Sequence, residues 1–312
     1  MRPGDTIRGM STDHDHGSPW SADAARFRTE NLENWSERAL LHARSADYGI
    51  DALVDDPARI SDVVRFDVPR LGDVAGLRVL HLQCHIGTDT ISLARLGAQV
   101  TGVDFSAAAI AEGRKLASRC GVDVRFVEAD AYDAARLVGA NSFDLVYTGI
   151  GALCWLPRIR PWAATVAELL VPQGRLFLRE GHPMLWALDE NVAEALLIRY
   201  PYFETPRPVS IDDPDSYVRT ERPMTASLSH SWNHGLGEIV SALLDEGMSL
   251  TMLAEHDSVP WDALPGQMVR DEVGEWRLRE GPERLPLTYT LVATRGSTDS
   301  VAVEDHQIDL LG

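Results

Sequence analysis

The stretch VLHLQCHIGTDTISLARLGAQVTGVDFS, residues 79–106, contains a complete strand–turn–helix–strand pattern. The apolar run at 77–83 predicts a buried parallel strand, residues 88–96 predict a helix that stops at Gly97, and residues 98–106 predict the next strand. The turn between the first strand and the helix reads QCHIG and keeps a single glycine. A turn that holds a pyrophosphate needs several glycines, because its backbone must approach a bulky group closely.

The alternation of strands and helices continues beyond this stretch. Further strands are predicted at 122–130, 142–151, 175–183, 248–258 and 286–295, and further helices at 107–121, 160–174 and 235–247. Strands that alternate with helices at this spacing imply right-handed crossovers. The sequence therefore predicts an α/β fold: a Rossmann-like, seven-stranded, mostly parallel sheet with helices on both faces.

Composition limits the function. The 312 residues carry a net charge of -18, which argues against sequence-independent nucleic-acid binding and against docking on anionic membranes. The three cysteines form no CxxC pair, and we find neither a secretory signal nor an apolar run of the length that spans a bilayer. We therefore expect a reduced, cytoplasmic protein with no nucleic-acid or membrane partner.

The element order, the turn and Asp104 at the end of the second strand resemble the class I S-adenosylmethionine-dependent methyltransferases over about residues 77–295. In that family the turn is usually Gly-x-Gly-x-Gly, and Gln83, His85 and Gly87 occupy the three glycine positions here. Some small-molecule methyltransferases carry a similar LQCHxGxDT variant, and the segments 31–49 and 232–238 are also similar to such enzymes. The resemblance implies S-adenosylmethionine as cofactor and S-adenosylhomocysteine as product.

The resemblance also implies an organisation of the chain. We expect a helical cap at 22–72, a cofactor-binding core at 73–183 and 234–296, and a substrate lid at 184–233, which is rich in proline and aromatic residues. Residues 1–21 and 297–312 read as disordered tails. The N-terminal helices could exchange between subunits of a homo-oligomer.

Several residues are expected to bind the cofactor. Because S-adenosylmethionine has no phosphate, side chains are tolerated in the turn, with Gly87 at the closest approach. An acid about twenty residues after the turn, at a strand end, suits the ribose hydroxyls. Asp89 either complements the helix dipole or contacts the ligand. The full set of expected cofactor contacts is Tyr48, Gln83, His85, Gly87, Asp104, Phe105, Asp130, Ala131 and Thr148.

Two histidines are candidates for the chemistry. His182 ends the fifth strand just before a proline and is a candidate base, with structural hydrogen bonding as the alternative. His234 is a candidate substrate contact, with a place beside a helix cap as the alternative. His230 and His234 have no evident third ligand, so we expect no metal site.

The predicted reaction is in-line methyl transfer to a small-molecule acceptor. Methylation of oxygen or nitrogen is the default, and methylation of carbon in an isoprenoid or another natural product is the variant. Two other functions stay open: a nicotinamide-dependent oxidoreductase, which the side chains of Gln83 and His85 disfavour, and a non-catalytic protein that keeps the fold.

Overall fold

A computed structural model describes residues 22–297, so the tails predicted at 1–21 and 297–312 lie outside the described residues except for Ser297. The strands are β1 Arg78–Leu82, β2 Gln99–Asp104, β3 Arg125–Glu128, β4 Phe143–Thr148, β5 Leu170–Gly181, β6 Val209–Asp212, β7 Leu228–Ser231, β8 Met248–His256, β9 Met268–Arg270, β10 Trp276–Leu278 and β11 Thr288–Arg295. The helices of four or more residues are α1 Ala22–His42, α2 Ile50–Asp55, α3 Asp62–Leu71, α4 Thr88–Arg95, α5 Ala107–Cys120, α6 Ala134–Val138, α7 Ile159–Leu169, α8 Pro183–Trp186 and α9 Leu236–Asp245.

Seven strands form the central sheet, in the order β3-β2-β1-β4-β5-β11-β8. The first five are parallel, and β11 runs antiparallel to both β5 and β8. The predicted Rossmann-like, mostly parallel sheet is therefore confirmed. Because β1 to β5 are parallel, their carboxyl ends meet at one edge, where such sheets bind ligands.

Helices cover both faces of the sheet, since side chains alternate between the faces along each strand. On one face Val79, Tyr147 and Phe177 pack with α3 and α4. On the other face Leu80 and Val146 pack with α7 and α9. The helix α3, which we had assigned to the N-terminal cap, thus lies directly on the sheet.

A serine caps the start of α3. The helix begins at Asp62, directly after Ser61. The Ser61 hydroxyl accepts a hydrogen bond from the backbone N–H of Val64 at 3.2 Å, which is the usual role of an N-cap serine. Local capping chemistry therefore sets the start of this helix.

Two segments extend beyond the alternating core. In the first, within 184–233, β6 pairs with β7, and β7 lies against α1. The second, between β8 and β11, contains the hairpin β9–β10. Its apolar side chains form a separate cluster with α8. No helix in the described part of the chain is long and apolar enough to cross a membrane.

Candidate functional site

The turn after β1 adopts a glycine-like backbone although it has lost two of its three glycines. Gln83 and His85 have φ angles of 62° and 48°, in the left-handed region that favours glycine. Hydrogen bonds hold both residues there: Gln83 Nε2 donates to the Ala152 carbonyl at 2.9 Å, and the His85 backbone N–H donates to Asp104 Oδ2 at 2.9 Å. The turn therefore keeps its shape through contacts with the ends of β2 and β4.

Gly87 has a packing reason that the sequence did not indicate. Its φ is 81°, and a Cβ at this position would lie 2.8 Å from Cζ of Phe126. We expected Gly87 at the closest approach to the ligand. The structure accounts for this glycine by the Phe126 ring, and its contact with the cofactor stays a prediction.

Asp104 lies at the centre of the strand-end edge, as predicted. Its carboxylate is 7% exposed and accepts backbone hydrogen bonds from His85 and Ser106, both at 2.9 Å. Burial raises the pKa of Asp104 to about 6. Each oxygen retains a second lone pair, so the carboxylate can accept ribose hydroxyls as well. Its neighbour Phe105 is half-buried at the same edge.

Asp130 is also at a strand end, but it has a partner that sequence analysis missed. Asp130 Oδ1 accepts from the Tyr132 backbone N–H at 3.0 Å, and Oδ2 accepts from Nε of Arg28 on α1 at 2.6 Å. Ala131 is buried beside it. An arginine about two turns into α1 gave no signal in the sequence, because the contact spans about a hundred residues.

Thr148 ends β4 and is fully buried. Its hydroxyl has no hydrogen-bond partner within the described part of the chain, and neither has the side-chain oxygen of Gln83. A buried hydroxyl or amide oxygen without a partner is unfavourable. Both atoms lie at the edge where the cofactor is expected, so each could form a hydrogen bond with a polar ligand bound there.

The helix α1 lies across the carboxyl ends of three strands. Besides Arg28 at β3, Ser36 Oγ lies 2.9 Å from Ser106 Oγ after β2. His42 Nδ1 lies 2.9 Å from His85 Nε2 after β1. Since His85 and Ser106 flank Asp104, one helix covers the ends of β1, β2 and β3, where most of the predicted cofactor contacts lie.

The segment between β6 and β7 also packs beside the turn after β1. Ser216 Oγ lies 2.8 Å from Nε2 of His42, and the hydroxyls of Tyr48 and Tyr217 lie 2.6 Å apart. The Tyr48 ring stacks on His42 with centroids 4.9 Å apart. Tyr48, predicted to contact the cofactor, is thus beside the turn, and the 213–227 segment meets the N-terminal helix there.

Polar contacts tie α1 to β7. Asn31 donates to the His230 carbonyl and accepts from the His230 backbone N–H, both at 2.8 Å. Asn34 Nδ2 donates to the Ala226 carbonyl at 2.6 Å, and Glu37 accepts from the backbone N–H groups of Thr225 and Ala226. We call α1 with residues 209–231 the cover. Its helix and hairpin are joined by buried bonds to the backbone.

Comparison with known proteins agrees with this geometry. Residues 80–176 match the model of a methyltransferase domain family. Demethylmenaquinone methyltransferase of Beutenbergia cavernae is 31% identical over 217 residues, which cover 64% of this chain and 82% of that protein. The chain belongs to the class I S-adenosylmethionine-dependent methyltransferases.

Two further similarities were found, one in sequence and one in structure. Ubiquinone biosynthesis O-methyltransferase of Nitrosococcus oceani is 33% identical over 104 residues, and the match covers 33% of this chain and 43% of that protein. A solved structure described as an S-adenosylmethionine-dependent methyltransferase, from Listeria monocytogenes, aligns with a TM-score of 0.53 at 17% identity and covers 76% of this chain and 97% of that one. The second similarity supports the fold alone.

The cofactor of this methyltransferase is S-adenosylmethionine, and the edge residues suit it. The carboxylates of the buried Asp104 and the partly buried Asp130 can accept hydrogen bonds from ribose hydroxyls and from an adenine amino group. Gln83 and His85 occupy positions at which a phosphate-binding turn has glycines, whose backbone can approach the phosphate. The site therefore fits a phosphate-free nucleoside better than a dinucleotide.

His182 does not lie as a base would. Its Nδ1 accepts from the backbone N–H of Met184 at 3.1 Å, capping α8, and its Nε2 lies 2.9 Å from Glu255 Oε1 on β8. Burial lowers the pKa of His182. Nδ1 is thus engaged by the helix cap, whereas Nε2 faces the Glu255 carboxylate but makes no aligned hydrogen bond within the described residues. The geometry favours the structural alternative, and a role as base stays a prediction.

His234 is likewise part of the scaffold. Its Nδ1 lies 3.0 Å from Glu204 Oε2, and its Nε2 lies 2.9 Å from the carbonyl oxygen of Leu156. The ring is 3% exposed. It joins the loop after β4 to the first extra segment and to the start of α9, so the structure does not support a substrate contact. No cluster of metal-binding side chains is present within residues 22–297.

Glu180, at the end of β5, holds the loop after β4. Its two oxygens accept hydrogen bonds from the backbone N–H groups of Gly151, Ala152, Leu153 and Gly181 at 2.6–2.8 Å. The loop that Glu180 fixes carries Trp155, whose ring packs edge-on against Trp35 of α1 at 5.1 Å. Trp35 in turn packs on His85 at 5.2 Å. Glu180 thus positions an aromatic wall above the turn.

Proposed function

We propose that this methyltransferase transfers the methyl group of S-adenosylmethionine to an oxygen or nitrogen of a small molecule that binds beneath the cover. The observation that carries the proposal is the position of α1. It contacts the ends of β1, β2 and β3 through His42, Ser36 and Arg28. A crevice closed in this way excludes polymers and water, and exclusion of water favours transfer to the acceptor over hydrolysis.

The roles of the chain's own residues follow from their contacts. Asp104 would hold the ribose, and Asp130 with Ala131 the adenine. The bound cofactor supplies a methyl carbon activated by a sulfonium. The protein's task is then to place the acceptor in line with that carbon, which positioning alone can accelerate strongly. Trp35 and Trp155 form the wall against which an acceptor would lie.

An acceptor with a planar ring suits that wall. Aromatic side chains at right angles to one another offer both faces and edges to a ring. One curated relative is named demethylmenaquinone methyltransferase and the other ubiquinone biosynthesis O-methyltransferase. A hydroxylated aromatic ring is therefore the acceptor class to test first. Methylation at a ring carbon is the variant that analysis of the product would separate.

Calorimetric titration with S-adenosylhomocysteine tests the cofactor site. Asp104→Asn should weaken binding roughly 10- to 100-fold, because hydrogen bonds to a charged group contribute about 1.5–3 kcal/mol. The exposed Asp123→Asn is the matched control and should bind like the wild type. Equal affinity of both variants, with the Asp104 variant folded, would remove Asp104 from the site. Binding of NADH but not of S-adenosylhomocysteine would contradict the function itself.

The acceptor requires a second measurement. Transfer of a labelled methyl group should be assayed against phenols, catechols, aromatic amines and aliphatic alcohols of similar size. We expect turnover among the hydroxylated rings. Turnover confined to non-aromatic acceptors would refute the proposal of an aromatic acceptor. It would not affect the proposed cofactor site.

A further inference from the structure

Arg38 is the one arginine of the cover that forms no ion pair within residues 22–297. It lies on α1 and is 8% exposed. The other arginines of the cover each lie against a carboxylate, in the pairs Arg26–Glu30, Arg28–Asp130, Arg219–Asp47 and Arg222–Glu37. Burial lowers the pKa of Arg38 below its ordinary value, although an arginine stays charged at pH 7. A buried cation without a counterion is unfavourable, because it has lost the water that stabilises its charge.

Hydrogen bonds hold the guanidinium of Arg38 but leave one of its nitrogens free. Nε donates to Asn34 Oδ1 at 2.7 Å, and Nη1 donates to Ser216 Oγ at 3.1 Å. Nη2 donates to no atom of the described part of the chain, and it is not sealed from solvent. The carboxylate of Asp213 attracts the guanidinium from beyond ion-pair distance. One end of the guanidinium is thus fixed by the cover, and the other end can still donate to an anion.

The guanidinium lies beside the aromatic wall that we propose for the acceptor. Its Cζ is 5.6 Å from the centroid of the Trp35 ring, a distance typical of a cation–π contact. Trp35 packs edge-on against Trp155 at 5.1 Å. Because Arg38 contacts a ring of the wall itself, a charged substituent on an acceptor that lies against this wall is close to the free nitrogen.

The groups around Arg38 indicate which anion fits. Burial lowers the pKa of His42 to about 2 and that of His85 to about 3, so both rings are neutral at pH 7. Burial also raises the pKa of Tyr48 and of Tyr217, so both phenols are neutral. Arg38 is therefore a single positive charge among neutral groups. A carboxylate carries one negative charge and matches it, whereas the charge of a phosphate, about −1.5 to −2, requires more than one cation.

We propose that Arg38 binds a carboxylate of the acceptor, so that the substrate class is a hydroxylated aromatic acid. This inference deepens the proposed function and rests on it. We assign Arg38 to the acceptor and not to the cofactor because both of its hydrogen-bond partners belong to the cover and its guanidinium stacks on the acceptor wall. The carboxylate neutralises the buried cation and fixes the orientation of the acceptor ring against Trp35.

Pairs of acceptors that differ only in the carboxylate test this assignment. Catechol is compared with 3,4-dihydroxybenzoate, and phenol with 4-hydroxybenzoate, in the transfer of a labelled methyl group. The variants are Arg38→Gln, which removes the charge, and Arg38→Lys, which keeps the charge but not the planar fork. Arg26→Gln is the matched control, because Arg26 lies on the same helix with its side chain 59% exposed. Calorimetry with S-adenosylhomocysteine shows whether each variant still binds the cofactor.

In the wild type, kcat/KM should be at least about tenfold higher for each acid than for the same ring without the carboxylate, since hydrogen bonds to a charged group contribute this much. Arg38→Gln should bring that preference close to one, and Arg38→Lys should retain only part of it. The Arg26→Gln control should keep the wild-type preference. If Arg38→Gln does not fold, the wild-type preference and its partial loss in Arg38→Lys decide the question.

Other results overturn the inference. A wild type that methylates both members of each pair equally well leaves no carboxylate site, and a preference that persists in Arg38→Gln places that site elsewhere. A tenfold weaker affinity of Arg38→Gln for S-adenosylhomocysteine, with the preference intact, assigns Arg38 to the cofactor and not to the acceptor. Failure of the wild type to methylate any of the four rings contradicts the aromatic acceptor of the proposed function itself.

Discussion

The packing of three glycines around the Phe126 ring predicts how much a substitution at Gly87 lowers the stability of the fold. Cβ atoms at Gly87, Gly102 and Gly113 would each lie 2.8–3.0 Å from carbons of this ring. These glycines come from the turn, from β2 and from α5, and Phe126 comes from β3 and is 5% exposed. The ring is held by the core and has little room to shift. We therefore expect Gly87→Ala to destabilise the fold, and not only to disturb ligand binding.

The magnitude follows from two terms. Gly87 has φ 81°, and an alanine in the left-handed region costs about 1–2 kcal/mol. The clash with Phe126 adds about 1–3 kcal/mol for overpacking. Gly87→Ala should thus lower the free energy of unfolding by about 2–5 kcal/mol. Gly121→Ala is the matched control, because its φ is 63° and its Cβ would meet nothing within 4 Å, so it should cost only about 1–2 kcal/mol.

Urea denaturation of a double-mutant cycle separates the terms. In a Phe126→Leu background the overpacking should disappear, and Gly87→Ala should then cost as little as Gly121→Ala. A coupling energy of about 1–3 kcal/mol between positions 87 and 126 is the expected result. A Gly87→Ala protein as stable as the wild type, but unable to bind S-adenosylhomocysteine, would refute the packing explanation and support closest approach to the ligand.

Three further outcomes are expected. Burial raises the pKa of Asp67 to about 7, so the folded state binds the proton of this carboxyl more tightly than the unfolded state does. The protonated carboxyl therefore contributes stability that is present below pH 4 and is lost as the pH rises towards 7. Asp67→Asn should therefore flatten that part of the stability–pH profile by roughly 2–4 kcal/mol, and parallel profiles would contradict the assignment. Glu180→Gln should lower the free energy of unfolding by roughly 2–4 kcal/mol, because an amide nitrogen would face backbone N–H donors that the carboxylate now satisfies. A variant with an unchanged melting temperature would argue against the contribution of these hydrogen bonds to stability. His182→Asn keeps a hydrogen-bond acceptor for the α8 cap and should leave kcat within about twofold for the methyl acceptor identified by the transfer assay. A hundredfold loss of kcat would instead support His182 as the base.

The sheet could be predicted because its signals are local. Apolar runs, helix-ending glycines and the alternation of strands and helices all lie within short windows of sequence. The positions of Asp104 and Asp130 near strand ends followed from the same logic, since the carboxyl ends of parallel strands meet at one edge. Their contacts with the cofactor stay predictions.

The surroundings of the two histidines depend on partners far along the chain, which the sequence does not show. His182 and His234 lie just before helices, which made His182 a candidate base and His234 a candidate substrate contact. Their rings lie against Glu255 and Glu204, from segments whose packing no local pattern specifies. Arg28 was missed for the same reason, because its partner Asp130 is 102 positions away.

The altered turn shows how a side chain can replace a glycine without replacing its conformation. A left-handed backbone at Gln83 and His85 costs about 1–2 kcal/mol for each residue. Each residue offsets part of that cost with a side-chain contact, Gln83 to the loop after β4 and His85 to His42 of α1. Glycine could make neither contact. With Gln83 and His85 in place of glycine, the turn is more strained but is hydrogen-bonded to the loop after β4 and to the cover. A cofactor without a phosphate tolerates these side chains.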